Sequence, residues 1–130
     1  MDQQVSMQQH GAFSWNELMT SDVAAAKAFY TALFGWEMQD EQVHGMIYTL
    51  IKTGDQKIGG LMAMPEDAQA SPPAWGAYVT VDDVDKQTER ARQLGASVVV
   101  APRDIPEVGR FAVIRDPQGA MLSLISYYQG

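Results

Sequence analysis

Phe13–Trp36 reads FSWNELMTSDVAAAKAFYTALFGW, and its hydrophobic period changes once along the way. Through Thr20 the pattern alternates, which places Phe13, Trp15, Glu17 and Met19 on one face of a strand. Asp22 suits a helix N-cap, because its carboxylate accepts the orphan N–H groups of the first turn. The next twelve residues, VAAAKAFYTALF, stack Ala26, Phe29, Tyr30, Leu33 and Phe34 in one stripe. Phe29, Leu33 and Phe34 read as anchors of helix on sheet. Gly35 closes the helix where a left-handed residue costs least. Three strands are expected to follow, at Trp36–Gln42, Met46–Thr53 and Lys57–Met64, with Gly54–Asp55 turning the chain between the last two.

The same order of signals returns 60 residues later, pairing Trp15 with Trp75, Asp22 with Asp82 and Gly35 with Gly95. Ala74–Val81 reads as a strand, and Asp82 as a cap, with Asp85 placed for a capping-box-like pair. The second helix is expected to bury Val84, Thr88, Ala91 and Leu94. Strands at Ser97–Pro102, Arg110–Arg115 and Ala120–Tyr127 complete the set, the last two joined by the turn DPQG, Asp116–Gly119. Few aligned residues are identical; the recurrence lies in where strand, cap, helix end and hairpin fall. The expected fold is therefore α+β, two tandem βαβββ modules at about 13–65 and 74–128, in one domain covering 13–130. PEDAQASPP, 65–73, is the linker, and the polar stretch 1–12 reads as a mobile arm.

Composition narrows the function classes. The 130 residues suffice for one domain with a real core, 46% of them apolar. With no cysteine, disulfides, thiolate metal sites and thiol nucleophiles are excluded. The two histidines are poor material for a metal centre, one falling in the arm (His10) and one between strands (His44). Nine basic against sixteen acidic residues give −7, which argues against nucleic acid. No run reaches the ~20 apolar residues of a membrane span, and no charged leader precedes Lys27, so a cytoplasmic protein is expected.

Two stretches carry a family likeness. Trp15–Trp36, and Tyr78–Gly95 (YVTVDDVDKQTERARQLG) with Gly109–Ala120 (GRFAVIRDPQGA), resemble the vicinal oxygen chelate superfamily. That group holds glyoxalases, bleomycin-resistance proteins and dioxygenases. The resemblance implies an eight-stranded mixed, cupped sheet around a cavity with helices outside, and a homodimer. It also implies four positions for a divalent metal. Seven residues before the helix-start Asp stands Trp15 in the first module. In the second stands Gly76 or Trp75, depending on whether Asp83 or Asp82 starts the helix. Seven residues after Asp116 stands Ser123, and the fourth strand, KIGGLMAMP, supplies no acid, His or Gln. No metal or other cofactor is expected.

The cavity implied by the likeness would instead be lined by Trp15, Glu17, Tyr48, Met62, Met64 and Trp75, apolar and adaptable, with one acid and one phenol. The tryptophans and methionines fit a packed core equally well. Glu17 is expected to face a polar cavity, a cation or water, since a carboxylate is expensive to bury without partners. Arg110 is a candidate salt partner for it, and with it a ligand-site residue. The leading reading is a protein that binds a small organic molecule, aromatic or cationic, without metal. The alternatives are a glyoxalase-like lyase or related enzyme, with Glu17 as general base beside Tyr48 or with an atypical metal, and a non-catalytic interaction subunit.

Overall fold

The computed structural model describes residues 9–43, 46–64, 72–105 and 108–128. Residues 1–8 of the expected arm, His44, and 65–71 of the expected linker lie outside the described residues. Among the described residues, ten elements follow as two βαβββ sets: β1 (Phe13–Thr20), α1 (Val23–Phe34), β2 (Glu37–Val43), β3 (Met46–Thr53) and β4 (Gln56–Ala63); then β5 (Ala74–Thr80), α2 (Val84–Gln93), β6 (Ser97–Ile105), β7 (Gly109–Arg115) and β8 (Met121–Tyr127). The α+β class and the tandem modules stand as expected. Two compact units result, one spanning Trp15–Gly76, the other joining the stretch up to Ser14 with everything from Ala77 onward.

In the first unit the strands lie in the order β2-β3-β4-β1, with β1 parallel to β4 and the rest antiparallel. Leu18, Ile51 and Leu61 form its core, and Val23, Ala26 and Tyr30 of α1 pack against them. Asp22 caps α1 through the Ala25 N–H at 3.0 Å, and Gly35 follows at φ 73°. Apolar residues occur all round this helix, so its period alone does not choose the buried stripe. Val23, Ala26 and Tyr30, one turn apart, take the core. Phe29, Leu33 and Phe34, expected as anchors, are instead 59%, 56% and 57% exposed.

The second unit repeats the plan, β5-β8-β7-β6 with β5 parallel to β8. Its core is Val81, Val84, Ala112 and Leu124. The α2 cap differs from expectation by one residue. Asp83, not Asp82, accepts the Lys86 N–H at 3.1 Å, while the Asp82 N–H donates to His10 Nδ1 at 3.0 Å. That bond and those of Gly11 and Ala12 with Thr80 tie down the described end of the expected arm. Leu94 caps the end of α2 and is exposed rather than buried.

A buried hydroxyl and an ion pair fasten α1 to its sheet. Lys27 Nζ lies 2.9 Å from Asp40 Oδ1, and Thr49 Oγ1 donates to that oxygen at 2.7 Å. Hydrogen bonds from Thr49 and Lys27 hold the Asp40 carboxyl below its ordinary 3.8. A carboxyl depressed on folding stabilises fully above its unfolded pKa, and that contribution is lost as pH falls through the folded value. Asp40→Asn is therefore expected to lower the thermal midpoint at neutral pH. The gap from the parent protein should close on acidification below about pH 4 in circular-dichroism melts, and salt should narrow it at neutral pH.

Candidate functional site

Strand alternation gives β1 two different faces. Leu18 enters the core under α1, and Asn16 shares its side. Trp15, Glu17 and Met19 take the other. Across the parallel ladder Glu17 pairs with Gly60 and Met19 with Met62. On β3, Thr49 and Ile51 are buried on the helix side, which leaves Tyr48 and Leu50 on the face of Glu17. The indole N–H of Trp15 donates to the Tyr48 hydroxyl at 2.9 Å.

Gly60 makes this arrangement possible. A Cβ built there would collide with the Tyr48 hydroxyl and ring. The phenol thus comes down on bare backbone, at the residue that faces Glu17 across the ladder. Glu17 is 8% exposed, whereas Trp15, Met19, Tyr48 and Met62 are half-buried and present surface. An acid, a phenol and an indole stand together beside two methionines. Of the residues singled out from the sequence, Trp15, Glu17, Tyr48 and Met62 share this face. Met64 lies just beyond β4, buried, with its N–H bonded to the Thr20 carbonyl at 3.1 Å.

Trp75 and Arg110 have other partners. The indole N–H of Trp75 donates to the Tyr30 hydroxyl at 3.2 Å, and its ring meets Trp36 edge-on, on the helix side. The cap at Asp83 explains this. It moves the frame of the second module by one residue, so Gly76, not Trp75, corresponds to Trp15, and one residue in a strand is the opposite face. Arg110 is engaged by two carboxylates, Asp85 at 2.8 and 3.0 Å and Asp104 at 3.1 Å. These bonds raise the guanidinium above its ordinary value and lower Asp85. The candidate partner of Glu17 is thus held by α2 and β6.

Sequence reading missed a cleft of about 340 Å³ on the helix side, lined by Asn16, Trp36, Ile51, Ile58, Gly59 and Trp75. It also missed Gly60. The Gly59–Gly60 pair inside a strand was the available signal, because glycine there marks a close backbone approach.

The four metal positions implied by the family likeness do not fit a divalent ion. The Trp15 indole nitrogen has no lone pair to give, and its N–H is spent on Tyr48. Gly76 has no side chain, Ser123 offers only a hydroxyl, and β4 carries Ile, Gly, Leu and Met along its centre. Among the described residues, no three His, Asp or Glu side chains gather as a metal-holding group.

Gly60→Ala should drive Tyr48 off Trp15 and destabilise the protein by roughly 1–3 kcal/mol, an overpacking cost. In a Tyr48→Ala background the same substitution should cost much less. Urea denaturation of the four proteins of this cycle checks it.

The family model described as the Glyoxalase/Bleomycin resistance protein/Dioxygenase superfamily matches residues 12–124. Among curated proteins, the chain is 40% identical over 116 residues to "Putative glyoxylase CFP32" of Mycobacterium tuberculosis, covering 88% of this chain and 44% of that protein. It is 33% identical over 130 residues to "Anthracycline biosynthesis protein DnrV" of Streptomyces peucetius, covering 88% and 46%. The chain thus spans less than half the length of the curated relatives it matches. Among solved structures, methylmalonyl-CoA epimerase from Mycobacterium tuberculosis superposes with a TM-score of 0.66 at 18% identity, over 98% of this chain and 95% of that one. Among the described residues, no helix is long and apolar enough to cross a membrane.

Proposed function

The chain belongs to the glyoxalase/bleomycin resistance/dioxygenase superfamily, and on that premise we propose that it binds, without a metal ion, a small organic molecule with a flat aromatic body and a cationic group. The molecule lies on the face of β1, β3 and β4 that carries Trp15, Glu17, Tyr48 and Met62. One observation carries this reading: the Trp15–Tyr48 hydrogen bond seated on Gly60, opposite Glu17. The bond fixes two aromatic groups in advance, which lowers the ordering cost of binding. Their faces and the neighbouring methionines accept a planar ring system. Glu17 adds a negative charge in a site of low polarity, where an ammonium gains from both carboxylate and indole, the indole contributing about 0.5–2 kcal/mol.

The relative named for anthracycline biosynthesis supports the choice of a polycyclic aromatic. The protein works in the cytoplasm as a homodimer in this reading. The exposed Phe29, Leu33 and Phe34 of α1 support the second copy, and sedimentation equilibrium should give twice the chain mass.

Daunorubicin, a planar tetracycle carrying an amino sugar, is a suitable fluorescent probe, with its aglycone as the neutral control. Titration should show saturable quenching. Trp15→Ala should weaken both molecules by about tenfold, equivalent to 1.4 kcal/mol. Glu17→Gln should weaken daunorubicin several-fold and leave the aglycone nearly unchanged. Absence of saturation, or equal affinity in all three proteins, overturns the reading.

A second reading rests on the same cluster. A carboxylate and a phenol on one face form an acid–base pair, and the relative named as a glyoxylase supports an enzyme. Glu17 would then serve as general base beside Tyr48. Glu17→Gln should abolish turnover of the relevant substrate while retaining its binding, whereas in a pure binder it changes affinity alone.

A further inference from the structure

Among the described residues, the helix-side cleft of the first unit shares none with the face just described. Asn16 alternates with Trp15 and Glu17 along β1, so the two sites lie on opposite sides of one strand. We propose that this cleft is a second ligand site, taking a neutral, flat aromatic molecule of two or three fused rings with one hydrogen-bonding substituent.

Size sets the first limit. About 340 Å³ stands at the lower end of small-molecule pockets, enough for a bicyclic or tricyclic body and too little for a large cofactor. Ring geometry sets the second. Trp36 and Trp75 meet at 78° with centroids 6.2 Å apart, so the two indoles touch each other and form a near-perpendicular corner of the cleft wall. A flat ring lying in that corner is parallel to one indole and perpendicular to the other, the two arrangements that aromatic quadrupoles favour.

The walls are also held in place without a ligand. Tyr30 stacks on Trp36 at 5.8 Å and meets Trp75 edge-on at 5.5 Å, and its hydroxyl accepts the Trp75 N–H. A site built in advance loses little freedom on binding.

The floor comes from an irregularity in β4. Ile51 pairs with Gly59 while Lys52 pairs with Lys57, so Ile58 is the extra residue of a bulge. Ile58 thereby packs on the helix-side core and lines the cleft with Ile51. Gly59 must stay bare, because a Cβ there would stand 2.6 Å from the Asn16 carbonyl oxygen. Among the described residues no charged side chain lines the cleft, so an ionic ligand would lose its hydration there without a counter-charge. Among the described lining residues, the polar side chain apart from the indoles is Asn16, exposed and carrying both donor and acceptor. It suits a single hydroxyl or carbonyl on the ligand.

The three tryptophans make the two sites separable in one experiment. Protein labelled with 5-fluorotryptophan should give three fluorine resonances, assigned by single Trp→Phe substitutions. 2-Naphthol is the neutral probe. Its titration should shift the Trp36 and Trp75 signals saturably and leave Trp15 in place. Asn16→Ala, an exposed change that leaves the fold intact, should weaken that binding at least threefold, and Ile58→Phe should fill the cleft and abolish it.

The proposal is overturned if the Trp36 and Trp75 signals do not move, if the movement does not saturate, or if Asn16→Ala leaves it unchanged. Movement of Trp15 alone overturns it as well. Daunorubicin added to the same sample reports on the other face through Trp15, so either site can fail while the other stands.

Discussion

Two consecutive glycines let β4 be approached from both sides at one level. Below Gly59, the backbone of Asn16 comes within 2.6 Å of where a Cβ would stand. Above Gly60, the Tyr48 phenol occupies the space a Cβ would take. The parallel pairing of β1 with β4 therefore depends on one glycine, and the seat of the phenol depends on the other. Successive residues of a strand face opposite ways, so the pair serves two faces at once. On one lie Trp15, Glu17 and Tyr48, and on the other the cleft that Trp36 and Trp75 help to line. A side chain at Gly59 would press on the β1 backbone, and one at Gly60 would displace the Tyr48 ring.

Much of the fold was legible because its signals are local. The period change within Phe13–Trp36 gave β1 and α1 with their observed ends, and Asp22 and Gly35 cap the helix as their chemistry requires. The second module was harder, since two aspartates stand side by side and either could cap. A cap is settled by which backbone N–H each carboxylate reaches, and only Asp83 reaches that of Lys86. That single residue decides the face of Trp75. The α1 stripe was ambiguous for another reason. A helix that is apolar all round carries no period to read, and the sheet beneath chose Val23, Ala26 and Tyr30.

The candidate site was legible where it depended on alternation and illegible where it depended on contact across strands. Trp15, Glu17, Tyr48 and Met62 follow from strand parity, and they share a face. The hydrogen bond between Trp15 and Tyr48 links residues 33 apart, and no local pattern encodes it. Arg110 is the converse. Its charge suggested a partner for Glu17, but Asp85 engages it through two bonds and Asp104 through one. The bulge that turns Ile58 onto the helix side likewise comes from a register shift that alternation alone does not reveal.

The family places its chemistry on strand positions that here hold an indole, a glycine and a serine, none of which is a good ligand for a divalent ion. The site proposed in the first unit is instead the hydrogen-bonded pair of Trp15 and Tyr48, on the same strand face as Glu17. A crystal structure of the protein soaked with daunorubicin puts that directly to the test. The ring system should lie against Trp15 and Tyr48, with the ammonium within hydrogen-bond reach of the Glu17 carboxylate. Density for the drug elsewhere, with the Trp15–Tyr48 face open to solvent, or a metal ion coordinated beside Trp15, would contradict it.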